Sequence, residues 1–480
     1  MKALLFERNL PRFAASRLIA AAGSGKGAGV GPLRLTDVDE PELPGPGWHR
    51  VRPLLSGICG SDLALLDGRS SRYFEPLVSF PFVPGHEIVG VVEGGPRDGE
   101  RVAVEAVLHC AVRGIDPVCP SCATGRTEDC EMIAAGDLPP GLQTGYCAAT
   151  GGGWSGMLVA HDRQLFGVPE GLDDDAAVMI EPTACALHAA TGVIASVAAA
   201  RLRDAIDDER PSVVAVVGAG TLGLCTIAAL NRLRRSPGAP PLTLIVIAKH
   251  PHQERLARML GADRVAPPSE LSRAVRRATR THQIPPAGGA VSVRGTHRLA
   301  GGADVIVDCA ASPSSFTDAL SAVRPRGHVV LVGMPGPARV DLAPLWHREI
   351  TLSGAYAYGT ERLDALFGAW HEAGHEDVQG QAGLTPQDRP RTFALAAEVV
   401  ADAGLGRLVS ARYAIDRFED AVAHAGSAGR RGAVKIVFDL RRRPGARRTA
   451  ATRAAAAGSQ PGRAAGAPHG DTPRGQGAQL

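Results

Sequence analysis

Cys59, His86 and Glu181 offer sulfur, nitrogen and oxygen to a metal ion. Zn²⁺ accepts all three ligand types, and a catalytic zinc uses three protein ligands while keeping one position open for water or substrate. Each residue sits at or beside a turn, in Cys59-Gly60-Ser61-Asp62, Gly85-His86-Glu87 and Glu181-Pro182. All three segments precede Gly218-Ala219-Gly220-Thr221-Leu222-Gly223. A Lewis acid beside a nicotinamide cofactor performs alcohol–carbonyl redox chemistry. Taken singly, each ligand has a plainer role: a small buried thiol, a hydrogen-bonded turn histidine and a carboxylate at a helix start.

The glycine signature is informative because of its setting. It follows the apolar run Ser212–Val217 and opens a helical stretch, Leu222–Arg234. Gly218 permits the tight turn, Gly220 lets backbone approach a pyrophosphate, and Gly223 lets helix and strand pack closely. The helix N-terminus adds N–H donors and partial positive charge. An acid at the end of the second strand would bond the ribose 2′-OH of NAD. Here that strand, Leu242–Ala248, ends without one, and Lys249 and His250 follow. Those cations suit a 2′-phosphate, so NADP is expected ahead of NAD. Gly333, after the run His328–Val332, reads by itself as a strand-end glycine.

The elements that must position these groups change character along the chain. Residues 1–182 are rich in Gly and Pro with short strand-like runs such as Glu87–Val92 and Arg101–Val104. A Gly/Ala-rich stretch within residues 10–31 is expected to be a flexible insertion. Over 183–357, strand and helix patterns alternate, which signals parallel βαβ units. The strands are expected at Val213–Val217, Leu242–Ala248, Asp304–Cys309, His328–Val332 and Ile350–Ala355. Helices are expected at His252–Leu260 and Ser314–Val323 as well as after the glycine turn. Residues 358–440 return to mixed character, with a surface insertion at Gly374–Arg391 and a closing strand at Ala433–Phe438. Arg430, Arg431 and Lys435 have the composition of solvated surface charges that could approach cofactor phosphates.

Bulk properties bound the function. At 480 residues the chain is long enough for two domains, and 45 % apolar with 21 % charged residues is ordinary globular composition. Residues 441–480 hold eight Arg and one Asp, a surplus of +7 that leaves −4 for residues 1–440. The folded part therefore has no basic surplus for nucleic acid. The tail has almost no large apolar side chains and is expected to be disordered. No apolar run stands out as membrane-spanning, and Glu7 interrupts what would be a signal-peptide core. Nine Cys, four of them between 110 and 130, favour metal ligands and free thiols over disulfides. A cytoplasmic location is expected.

Four motifs in this order resemble the zinc-dependent medium-chain alcohol dehydrogenases: Gly57-Ile58-Cys59-Gly60-Ser61-Asp62, Pro84-Gly85-His86-Glu87, Glu181-Pro182 and the glycine turn. The resemblance covers about residues 36–440 apart from insertions. It implies a Rossmann-type doubly wound parallel sheet joined to a β-rich, GroES-like catalytic domain. It implies that Cys59 and His86 hold catalytic zinc, with Glu181 in the third ligand position and Glu87 or water in the fourth. Glu at that third position resembles the polyol, glucose and threonine dehydrogenase branch. Asp62 matches a residue that steadies the site, and Ser61 matches the hydroxyl that relays the proton. Only the resemblance implies that the turn at Gly333 passes near the nicotinamide. Ala64 stands where many relatives have a relay histidine. Cys119, Cys122 and Cys130 match three positions of a structural-zinc lobe. The first position of that pattern is Asp116 here, so the fourth ligand is Cys110 or Asp116, or the lobe holds no metal. Sulfur-rich structural sites favour Cys110. Relatives are usually dimers or tetramers. The implied reaction is hydride transfer between a small alcohol (a polyol, sugar or secondary alcohol) and NAD(P). The competing expectations are a zinc-free quinone or enoyl reductase and a non-catalytic nucleotide-binding protein with a nucleic-acid-binding tail.

Overall fold

The computed structural model describes residues 1–205, 210–284, 298–361 and 390–441. The tail beyond 441 and nearly all of Gly374–Arg391 lie outside the described residues.

One sheet has six parallel strands, in the order Arg264–Ala266, Leu242–Ile247, Ser212–Val217, Ala303–Asp308, Val323–Leu331, Thr351–Gly354. The first three run backwards from the centre and the last three forwards, which makes a doubly wound sheet. Ser212–Val217 and Ala303–Asp308 are buried at every position, as a sheet covered on both faces requires. The switch point lies between these two strands, and the glycine turn sits at its carboxyl end. The strand expected at His328–Val332 begins earlier, at Val323. Arg324-Pro325-Arg326-Gly327 disguises its start as a turn, and Arg326 does adopt φ +56°.

The second sheet has seven strands. Its path runs Val409–Tyr413, Lys435–Asp439, Trp48–Gly57, Ile88–Glu93, Arg101–Val104, Leu165–Gly167, with Leu158–His161 also paired to Trp48–Gly57. Lys435–Asp439 returns from the far end of the chain to lie antiparallel to Trp48–Gly57, with Val437 opposite Gly57. That pairing puts residues nearly four hundred positions apart side by side.

The largest core cluster centres on the helix Ile180–Arg203, which packs against the helices Thr221–Leu233 and Thr392–Ala403. By length and composition alone Ile180–Arg203 could cross a membrane, with mean hydropathy 1.5, contrary to the expectation that no such run exists. Here its apolarity is explained by burial: it is the central helix of the core.

The stretch 10–31 is not a loose insertion over its first half. Leu10–Ala20 is a helix capped by Asn9, whose side chain accepts from Arg12 N at 3.1 Å. The glycine-rich part then folds onto Asp67. Gly25 N donates to Asp67 Oδ1 at 2.9 Å, and Arg69 Nη2 donates to Oδ2 at 2.8 Å. Ser16 Oγ bonds Leu66 O. These contacts brace the end of the helix Gly60–Leu66, whose first turn carries Ser61 and Asp62.

Candidate active site

Cys59 ends the strand-to-helix turn and caps the helix Gly60–Leu66. Its N–H donates to Asp62 Oδ2 at 2.9 Å. His86 and Glu87 precede the strand Ile88–Glu93, which pairs with Trp48–Gly57. The pairing brings ligand atoms of Cys59, His86 and Glu87 within 4.8 Å of one another. A side chain at Gly57 would overlap the Glu87 carboxylate, so the carboxylate can stand there only because residue 57 has none.

Glu181 opens the helix Ile180–Arg203 and is buried, but it is not in that 4.8 Å set. Burial pushes its carboxyl up to about 7, against the opposing pull of His86. Cys185 Sγ, one helical turn on, donates to Glu181 Oε1 at 3.7 Å. Glu87 meets a partner that the sequence concealed. Lys435 is fully buried, and its Nζ lies 2.6 Å from Glu87 Oε1 and 3.3 Å from Ile58 O. Burial would lower the Lys435 pKa, but Glu87 outweighs it and raises it. The expectation of a surface charge at Lys435 is therefore corrected. The clue was its place in the otherwise apolar run Ala433–Phe438, where a lysine must be paired.

The converging side chains are donors that a cation can share. His86 is buried, and its Nδ1 lacks a hydrogen-bond partner, standing 3.7 Å from Asp62 Oδ1. Burial alone would lower the imidazole, but Asp62, Cys59 and Glu181 together push it well above its ordinary value. A thiol, a carboxyl group and an imidazole with an orphaned nitrogen, brought within 4.8 Å of one another, fit a divalent metal held by soft and hard donors together. Ser61 Oγ is also buried, beside the hydroxyl of Tyr146. Tyr146, which the sequence did not single out, borders the pocket: its ring is 5.8 Å from His86 and its hydroxyl donates to Asp62 Oδ1 at 3.4 Å.

The cofactor candidates occupy the switch point. Gly218 has φ +100°, which a side chain would strain. Gly220 caps the helix Thr221–Leu233 and has open space around it. A Cβ on Gly223 would collide with Gly218 O. Gly333 lies against Cys309 O, which a Cβ there would approach to 2.8 Å. Leu222 packs at the edge of the main core. Lys249 follows the strand Leu242–Ile247 and is exposed; its N–H donates to Gln253 Oε1 at 3.3 Å. His250 stacks near His252, with ring centres 5.8 Å apart, and lies against Gly429. Burial lowers the His250 pKa, and His252, Lys249 and Arg430 lower it further, so His250 stands beside two cations and is itself held toward its neutral form.

Both sites share structural parts. Thr221 Oγ1 donates to Val434 O at 3.4 Å, and the next residue is Lys435. Thr183, two residues after Glu181, donates to Cys225 Sγ of the glycine-turn helix at 3.5 Å.

The lobe cysteines also converge. Ligand atoms of Cys110, Cys119, Cys122 and Cys130 lie within 4.8 Å, and Asp116 is outside this set. Cys110 and Cys130 sulfurs are 3.6 Å apart, and Cys119 N donates to Cys110 Sγ at 3.3 Å.

The comparisons with known proteins agree with this architecture. Residues 45–170 match the alcohol dehydrogenase GroES-like domain and residues 222–371 match the zinc-binding dehydrogenase family. A Mycobacterium tuberculosis protein named as a zinc-binding alcohol dehydrogenase is 30% identical over 366 residues, covering 73% of this chain and 79% of its own. The sorbitol dehydrogenase of Arabidopsis thaliana is 28% identical over 325 residues, covering 66% and 76%. Among solved structures, a zinc-binding dehydrogenase of Sinorhizobium meliloti bound to NADP aligns with a TM-score of 0.56 at 23% identity, covering 87% and 98%.

Proposed function

Since this chain belongs to the zinc-dependent medium-chain alcohol dehydrogenases, we propose that it transfers a hydride between a small alcohol and NADP, with zinc at Cys59, His86 and Glu181. The observation that carries this is the cation-seeking group of Cys59, His86 and Glu87, with Glu181 close by, joined to the glycine turn through Val434 and Lys435. When bound, zinc would supply Lewis acidity to the alcohol or carbonyl oxygen. Cys59 and His86 would hold it, and Glu181 would complete the set from the helix start. Glu87, held by Lys435, would yield or take the fourth position in exchange with water. Ser61 would pass the hydroxyl proton outward. Beyond Ser61 the side chain of Ala64 carries no proton, so the path continues through water or cofactor hydroxyls. Asp62 would steady Cys59 N and face His86.

Lys249 and Arg430, both beside His250, support NADP over NAD, because a 2′-phosphate is attracted where a ribose-binding acid is absent. The four lobe cysteines would bind a structural zinc, with Cys110 as fourth ligand. The likeness to sorbitol and L-idonate dehydrogenases supports a polyol or sugar alcohol as substrate. The boundaries 1–182, 183–357 and 358–440 are our division into catalytic, nucleotide-binding and returning catalytic segments. Nine cysteines free of disulfides support a reducing, cytoplasmic setting. Exposed Trp346 and Leu342, a few residues before the strand Thr351–Gly354 at the end of the six-stranded sheet, support self-association as a dimer or tetramer; light scattering would measure it.

The test is a panel of polyols, sugars and secondary alcohols with both cofactors, with and without a chelator. Oxidation of a polyol that stops on chelation and resumes with zinc is expected. Turnover untouched by complete metal removal would overturn the zinc assignment and favour a zinc-free reductase.

A further inference from the structure

Arg113 is completely buried. It closes the helical turn Cys110–Arg113, so it stands one turn from the first sulfur of the lobe. Its Nε donates to Leu108 O at 2.8 Å, and its Nη2 to Gly141 O at 2.6 Å. Its Nη1 reaches Ala135 O at 3.1 Å, Leu138 O at 3.0 Å and Pro139 O at 3.3 Å. All three nitrogens of the guanidinium are engaged, yet every acceptor is a neutral carbonyl.

A guanidinium stays protonated under all ordinary conditions. Carbonyls satisfy its hydrogen-bonding directions but leave its charge unbalanced, and a buried unbalanced charge is strongly unfavourable. Burial weakens its hold on the proton, and the groups acting against that are the sulfurs of Cys147, Cys130 and Cys110. Cys147 also shares the Pro139 carbonyl with it, at 3.7 Å. Neutral thiols would leave Arg113 without a counter-charge. Four thiolates around a divalent metal carry a net charge of about −2 and would provide one.

We propose that Arg113 is the counter-cation of the four-cysteine metal centre, offsetting the surplus charge of the thiolates and so tightening their hold on the metal. This rests on reading the cysteine lobe as a metal centre. Arg113 acts here as a positioning residue, since it touches neither substrate nor cofactor. The same side chain fixes 135–141. Leu142, the next residue, donates to Leu77 O and accepts from Leu108 N, both at about the usual backbone distance, and Tyr146 of the catalytic pocket lies four residues on. The charge partner of the lobe therefore also anchors a segment leading to the active site.

The experiment separates charge from hydrogen bonding. Zinc content of the wild type and of Cys59→Ala is measured first. One equivalent retained in Cys59→Ala establishes a lobe metal; none overturns the metal-centre reading and the proposal with it. Apparent zinc affinities of Arg113→Lys and Arg113→Gln are then measured by competition with a chromophoric chelator. Lys keeps the charge and loses the fork, whereas Gln keeps donors and loses the charge. The Gln variant is expected to bind zinc about 10- to 100-fold more weakly and the Lys variant close to wild type. Equal affinities of the two variants overturn the proposal. Should the Gln variant fail to fold, the sulfur-to-metal charge-transfer band of the cobalt-loaded Lys variant decides. A band at the wild-type energy supports a charge role, and a shifted band with weakened affinity overturns it.

Discussion

Lys435 Nζ and Glu87 Oε1 are 2.6 Å apart in a fully buried ion pair, across 348 residues of sequence. It fastens the returning strand Lys435–Asp439 to the segment that carries His86. Removing one partner strands the other charge, which costs about 3–5 kcal/mol. Lys435→Met is therefore expected to lower the unfolding free energy of the metal-free protein by that amount in a denaturant titration. A loss under about 1 kcal/mol would show that the pair is not doing what its burial implies.

Cys59→Ala is expected to abolish turnover and to remove one equivalent of zinc while leaving the lobe metal in place. Elemental analysis against protein concentration reads this directly. Full metal retention with persisting turnover would mean the ligand set is wrong.

Lys249→Ala should raise the KM for NADP by about tenfold, which is about 1.4 kcal/mol, and leave the KM for NAD unchanged. Arg430→Ala should act in the same direction, because both cations face the same cluster with His250. Parallel losses with the two cofactors would show that these residues do not read the 2′ position.

Glu105 gives a pH-dependent test. Burial raises its carboxyl to about 7, against the nearby Arg391, whose Nη2 is 2.6 Å away. The folded pKa lies above the unfolded one, so folding favours the protonated form. The penalty is absent below about pH 4.5, grows as pH rises through the interval, and is complete above about 7. Glu105→Gln removes the titration, so it should match the wild type near pH 4.5 and exceed it by up to about 3 kcal/mol at pH 8. A stability difference that does not change with pH would refute this.

Asp67→Ala should loosen the brace between the N-terminal segment and the helix Gly60–Leu66. Asp67 is buried and receives Gly25 N, Ser24 Oγ and Arg69 Nη2. Leaving those donors unpaired costs about 1–3 kcal/mol. A lower melting temperature with faster hydrogen exchange in residues 60–66 is expected; unchanged exchange there would argue against the brace.

The nucleotide half was the more legible in the sequence. Its strands are continuous apolar runs, and the three glycines stand where strand, turn and helix each need them. Ser212–Val217 and Thr221–Leu233 lie within one residue of where periodicity put them. The metal half was legible only as separate turns, because Cys59, His86 and Glu87 meet through sheet pairing that spacing does not encode. Lys435 was hidden for the same reason: its partner comes from a strand pairing with the opposite end of the chain. Arg113 was hidden because its acceptors are backbone carbonyls, which carry no residue signature. Residues 14–31 were misjudged because Gly and Ala also suit close packing, as Gly25 against Val422 and Gly27 against Ser16 demonstrate.

The helix Ile180–Arg203 carries Glu181 at one end and lies along the glycine-turn helix with small residues such as Ala184, Ala190 and Thr191 buried in it. Close-packed interiors transmit small changes of volume. Enlarging one of these residues would press on the glycine-turn helix, which packs along this one. One substitution along this helix would therefore be felt at both candidate sites, at the carboxylate of Glu181 and at the glycine turn.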